Sequence, residues 1–153
     1  MTTVSQTIDK NDRIASLVHF SKTHSRNHIA FLTKCDDDFC FVDVGLALSM
    51  KIEDILSDRR LSLKAQDYLN DLLNANVFDS NMIGPYLAIR NIGILFEPQL
   101  QIDIEALFNK WSQNMILIVE MGRGSIAQDK FFLGQQTDHY SVDLRELNYI
   151  VLK

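Results

Sequence analysis

The chain has 153 residues, 46% apolar and 23% charged, with a formal net charge of −5. That balance fits one globular domain and argues against disorder. The negative charge removes any global electrostatic case for gripping nucleic acid or an anionic membrane. Two cysteines, Cys35 and Cys40, are too few for a disulfide framework. No apolar run nears the roughly 20 residues that cross a bilayer, and the polar residues 1–11 lack the apolar core of a signal peptide. A soluble cytoplasmic protein is the expectation.

Residues 1–10 are rich in Thr and Ser and are expected to form a disordered N-terminal tail, with residues 11–153 making a single α/β domain. Asn11 can cap a first helix whose apolar side carries Ile14, Leu17 and Val18. The polar run 21–27 ends it. Residues 28–33 and 39–44 are two apolar stretches of strand length. The connection between them is as short as a hairpin loop, whereas a parallel crossover takes a dozen residues or more. A hairpin is therefore the favoured arrangement.

Residues 45–56 fit two patterns. Leu46, Leu48, Met50 and Ile52 alternate like a strand, while Ser49, Ile52, Glu53 and Leu56 fit a helix. Ser62 can cap a helix over 63–76, with Leu69, Leu72 and Leu73 at helical spacing. Residues 77–81 lead into the longest apolar run, 83–96, opened by Gly84-Pro85 and closed by Glu97-Pro98. Asp103 can cap a helix over 104–113, with Leu107, Phe108 and Trp111 on its apolar side. Residues 115–119 form the next apolar run, 131–133 a short apolar patch, and 149–152 a terminal strand. Strand, helix, strand is the grammar of a mostly parallel sheet in a three-layer α/β fold.

In such sheets ligands sit beyond the carboxyl ends of the strands. Three stretches belong there. Lys34-Cys35-Asp36-Asp37-Asp38 has no glycine and three acidic side chains, the opposite of a phosphate cradle. It is read as a solvated acidic turn, with a divalent cation as the minor alternative. Arg90-Asn91 stands where an ATPase would place a Mg²⁺-binding acid. Arg90 can instead form a salt bridge within its own chain, the favoured reading, or pair with an acidic partner or a phosphate on another molecule. Gly122-Arg123-Gly124-Ser125 allows close backbone approach to an anion that Arg123 could bind, although a tight turn is the favoured reading of its glycines. His19, His24, His28, Cys35 and Cys40 match no zinc spacing. A restriction-type nuclease would need Asp43 or Glu120 beside a Glu-x-Lys pair, and the lysine is missing.

The segment Arg90-Asn91-Ile92-Gly93-Ile94-Leu95-Phe96-Glu97-Pro98-Gln99-Leu100-Gln101-Ile102-Asp103 resembles the small BrxF-type P-loop proteins of bacterial BREX-type phage-defence systems. In that family an apolar strand ends in Asp-Asn, a further apolar stretch ends in Phe, and an acidic-Pro-x-Leu turn follows. Ser112-Gln113-Asn114 and residues 115–119 are similar to the continuation. Residues 42–49 look like the strand region after the nucleotide-binding helix. The likeness runs from Phe41 to the end and is strongest over 87–119. The Gly-rich loop and its Lys-Ser/Thr are absent, the helix that should carry them is missing between Phe31 and Phe41, and Arg90 replaces the strand-end Asp.

The resemblance implies a P-loop NTPase-like scaffold that has lost the phosphate loop and its helix. With both halves of the Mg-ATP site gone, it implies no catalytic residue, cofactor or metal. It points to an interaction subunit of a phage-defence complex that binds a larger ATPase, nuclease or methyltransferase and meets nucleic acid only indirectly. Asp36, Asp37, Asp38, Arg90, Asn91 and Arg123 are the candidate contacts. The alternatives are a divergent metal-dependent NTPase or nuclease using Asp43, Glu97 or Glu120, a nucleic-acid adaptor with a basic face of Lys51, Arg59, Arg60 and Lys64, and a homo-oligomer joined through sheet edges.

Overall fold

The computed structural model describes residues 10–34, 38–134 and 140–152. In chain order it contains helix α1 (Lys10–Ser21), strands β1 (Ile29–Leu32) and β2 (Phe41–Asp43), helices α2 (Val44–Ile52) and α3 (Leu61–Ala75), and strands β3 (Phe78–Ser80) and β4 (Gly84–Arg90). Helix α4 (Ile104–Trp111) and strand β5 (Ile116–Glu120) follow. The chain then forms β6 (Ser125–Ala127), β7 (Lys130–Phe132), β8 (Ser141–Asp143) and β9 (Tyr149–Leu152). Short 3-10 turns occupy Glu53–Ile55, Ile92–Phe96 and Pro98–Leu100. The fold is mixed α/β with a mostly parallel central sheet.

The main sheet runs β2-β4-β5-β1-β9, all parallel, with β3 antiparallel against the first half of β4. Burial on both faces explains the unbroken apolar runs: every residue of β1 is buried, as are Tyr86–Ile89 of β4 and Ile116–Val119 of β5. Alternation sorts them. Ile29, Phe31, Leu87, Ile89, Leu117 and Val119 face the larger core, which is filled from α2, α3 and α4 by residues such as Leu48, Leu69 and Phe108. Ala30, Leu32, Tyr86, Ala88, Ile116 and Ile118 face the other way, toward Leu17 of α1 and Phe39.

The favoured hairpin between the first two strands is overturned. β1 and β2 lie in one sheet as parallel strands, separated by β5 and β4. The connection, residues 33–40, crosses two strands with no helix among its described residues. The dozen-residue rule describes crossovers that contain one, while extended chain spans at most about 3.3–3.6 Å per residue, enough for this passage. Phe39 anchors the crossing: it is buried and packs edge-on against Tyr86 at 5.2 Å between ring centroids. The Cys40 N–H donates to the Tyr86 hydroxyl at 3.0 Å.

Three boundaries also change. Asn11 lies inside α1, which already includes Lys10. α3 begins at Leu61 after Arg60, so Ser62 sits within the helix. The run 83–96 is not one strand. β4 stops at Arg90, Asn91 adopts the left-handed conformation (φ 55°), and 92–96 coil into a 3-10 turn. Asn is among the few side-chain-bearing residues that visit this region readily. The ambiguity over 45–56 resolves as helix over Val44–Ile52, because Asp43 caps it by accepting the Leu46 N–H at 2.9 Å.

Candidate interaction site at the carboxyl edge of the sheet

β2 and β4 are parallel neighbours in a register that sets Asp43 beside Arg90. Both strands end there, so their last side chains meet at the carboxyl edge. Arg90 Nη2 lies 3.1 Å from Asp43 Oδ2. The left-handed turn at Asn91 swings its amide back, and Nδ2 donates to Asp43 Oδ1 at 2.8 Å. The same Oδ1 caps α2 through the Leu46 N–H.

This convergence holds the Asp43 carboxyl below the ordinary carboxylate range. The backbone N–H of Leu46 is the main cause; burial opposes it, and the Asn91 amide and the Arg90 charge add smaller downward contributions. Gly45 is part of the construction. A Cβ there would lie 2.4 Å from Asn91 Nδ2 and 2.8 Å from the Asn91 carbonyl oxygen, so only glycine admits the Asn91 loop.

Of the sequence-predicted contacts, Arg90 and Asn91 therefore come together, and on an acid of their own chain. The Arg90 side chain remains 45% exposed, so this pair contributes little to stability and leaves guanidinium donors facing solvent. Arg123 is exposed in the turn after β5, where the Gly124 N–H closes onto the Met121 carbonyl at 2.8 Å. The two glycines there have structural roles. Gly122 has φ 57°, and a Cβ on Gly124 would strike the Phe131 ring at 2.6 Å. Asp38 is exposed beside the buried Phe39. Asp36 and Asp37 lie outside the described residues, as does Cys35.

The acids named for an enzyme do not form a metal centre: among the described residues no three His, Cys, Asp or Glu side chains converge. Asp43 is committed to Arg90, Asn91 and the α2 cap. His28 is engaged with the Thr23 carbonyl at 3.1 Å and tilted against Phe20. The basic face is divided: Lys64 pairs with Asp58 at 2.6 Å, and the Lys51 ammonium lies 6.0 Å from the Tyr68 ring centroid.

Sequence reasoning missed a polar knot at the opposite edge. Asn27 and Ser112 are both fully buried. Asn27 Nδ2 donates to Asn109 Oδ1 at 2.9 Å and to Ser112 Oγ at 3.1 Å, and Ser112 Oγ donates to the Phe108 carbonyl at 2.6 Å. The Asn27 N–H reaches Asn148 Oδ1 at 3.2 Å, tying the entries of β1 and β9 to the end of α4. No helix among the described residues is long and apolar enough to cross a membrane. No protein-family model, curated protein or solved structure matches the chain.

Proposed function

We propose that this protein is a non-catalytic accessory subunit of a bacterial phage-defence complex, built on a P-loop-like scaffold stripped of its nucleotide-binding parts. The observation that carries the reading is the connection from β1 to β2. In a P-loop protein the first strand leads into a Gly-rich loop and a helix whose N-terminus takes the phosphates. Here β1 lies inside the parallel sheet, so its carboxyl end is at the edge where α/β sheets generally bind ligands. From that end the chain makes a short crossing, residues 33–40, without a glycine and pinned by Phe39. The place of the metal-binding acid is held by Arg90, whose charge is met by Asp43. A scaffold that keeps its sheet and core while its ligand groups serve internal contacts is suited to binding another protein. The half-exposed Arg90 and the turns carrying Arg123 and Asp38 are the contacts it offers.

The test is recovery of the tagged full-length chain, co-expressed with the products of its neighbouring genes, followed by mass spectrometry. Stoichiometric co-elution of a large ATPase, nuclease or methyltransferase is expected, weakened by Arg90→Glu in a variant that retains its fold. Recovery of the chain free of any such protein would overturn the proposal.

A further inference from the structure

The two edges of the main sheet are built differently. At one edge lie β2 and β3, three residues each, carrying Asp43 and Asp79. Short strands and charges are the usual means by which proteins stop a sheet edge from pairing. At the other edge lies β9, Tyr149-Ile150-Val151-Leu152, with no charge, no proline and no glycine. At four residues it is nearly as short, but it lacks the charge.

The hydrogen-bond phase of β9 is set by its pairing with β1. The Ile29 N–H donates to the Asn148 carbonyl and the Thr33 N–H to the Leu152 carbonyl, both at 3.3 Å. In a parallel ladder alternate residues of a strand bond to one neighbour and the residues between them point their N–H and C=O groups the other way. Ile150 and Leu152 therefore serve β1, while the main chains of Tyr149 and Val151 face outward. Val151 is also among the exposed large apolar side chains, at 37%.

We infer that β9 is a homodimer edge, on which a second copy of this chain adds its own β9 antiparallel across a two-fold axis. The spacing is self-complementary. A two-fold through Ile150 sets Tyr149 of each copy opposite Val151 of the other, so both outward-facing residues exchange N–H and C=O groups with their counterparts. The residue on the axis then faces its own copy, which an ionised side chain would resist and the apolar Ile150 allows. The chain's net charge of −5 opposes association generally, but β9 contributes none of it. The contact is isologous and closes on itself, giving a dimer and not a fibre. This inference is independent of the proposed accessory role.

Mass measurement of the full chain in solution, by light scattering after size exclusion from micromolar to millimolar concentration, tests it. The expected result is a rise with concentration toward twice the 17.6 kDa monomer mass. Val151→Pro deletes an outward N–H while leaving the ladder to β1 intact, and is expected to hold the mass at the monomer value. Val151→Lys, which leaves the backbone unchanged and sets a charge on each side of the contact against Tyr149 of the other copy, is expected to do the same and serves as the reading if the proline variant does not fold. A wild-type mass that stays monomeric throughout overturns the inference. So does a dimer that persists in the folded lysine variant.

Discussion

Two crossovers in the same sheet do the same topological job by opposite means. From β2 to β4 the chain travels through α2, α3 and β3, and the apolar sides of those helices supply Leu48, Ile52, Ala65, Leu69 and Leu73 to the larger core. From β1 to β2 it passes over two strands in residues 33–40, and its buried anchor among the described residues is Phe39. A helical crossover builds a layer, whereas a short one only spans a face. The two faces of the sheet accordingly differ: one is packed by three helices, the other by α1 and the crossing chain.

The largest expected effect tests that asymmetry in packing. Phe31 is fully buried on the helical face, stacked on Phe131 and edge-on to Phe108 and Tyr149. Phe31→Ala is expected to cost about 4 kcal/mol. Phe39→Ala removes the same atoms from the thin face, where a short connection can settle into the space, and is expected near the lower end, about 3 kcal/mol. Denaturant unfolding of both variants checks the order. Equal losses would mean that the crossing chain is packed as rigidly as a helix.

A second variant attacks the entry of the helical crossover. Gly45→Ala forces a Cβ against the Asn91 loop and is expected to cost about 2 kcal/mol, within the usual range for overpacking. The side-chain amide resonances of Asn91 should move as its bond to Asp43 breaks. An unchanged amide would show that the loop has room to yield.

Asp43→Ala removes the cap of α2 and is expected to cost about 1 kcal/mol at neutral pH. The sign of its pH dependence is fixed by the depressed carboxyl. Stability from Asp43 is present above its unfolded value of 3.8 and is lost as pH falls through the lower folded value. The gap between wild type and Asp43→Ala should therefore narrow in acid. A gap that widened below that value would contradict the assigned partners.

The smallest effect concerns β9. The Tyr149 hydroxyl donates to Asp129 at 2.7 Å. That bond, with burial and the nearby charge, pushes the phenol up to about 12. Ultraviolet titration should show a late-ionising tyrosine that returns toward 10.0 in Asp129→Ala.

Much of the fold is legible in the sequence because burial on two faces writes itself as apolar runs. β1, β4 and β5 are found this way, β9 is found from its apolar residues although only Leu152 of it is buried, and Asp103 caps α4 as its position before the run predicts, accepting the Ala106 N–H at 3.0 Å. Strand adjacency is not legible. The length rule that favours a hairpin for residues 28–44 assumes that every parallel crossover carries a full helix, and this one is too short to do so. The break at Asn91 is hidden because residues 92–96 are as apolar as the strand before them, and only the backbone turn separates them. The small antiparallel sheet β6-β7-β8 is invisible for a different reason: strands of three residues are too short to display a period. At the candidate site, Arg90 and Asn91 are visible as residues out of place at a strand end. Their partner Asp43 is identifiable as a helix cap but not as a neighbour of Arg90, which needs the register of β2 against β4.

The most direct measurement is equilibrium binding of a fluorescent ATP analogue with Mg²⁺ to the purified full-length chain. The proposed reading predicts no saturable binding up to millimolar nucleotide, because residues 33–40 contain no glycine and no helix starts among their described residues. Saturable, Mg²⁺-dependent binding at micromolar nucleotide, abolished by unlabelled ATP, would contradict it.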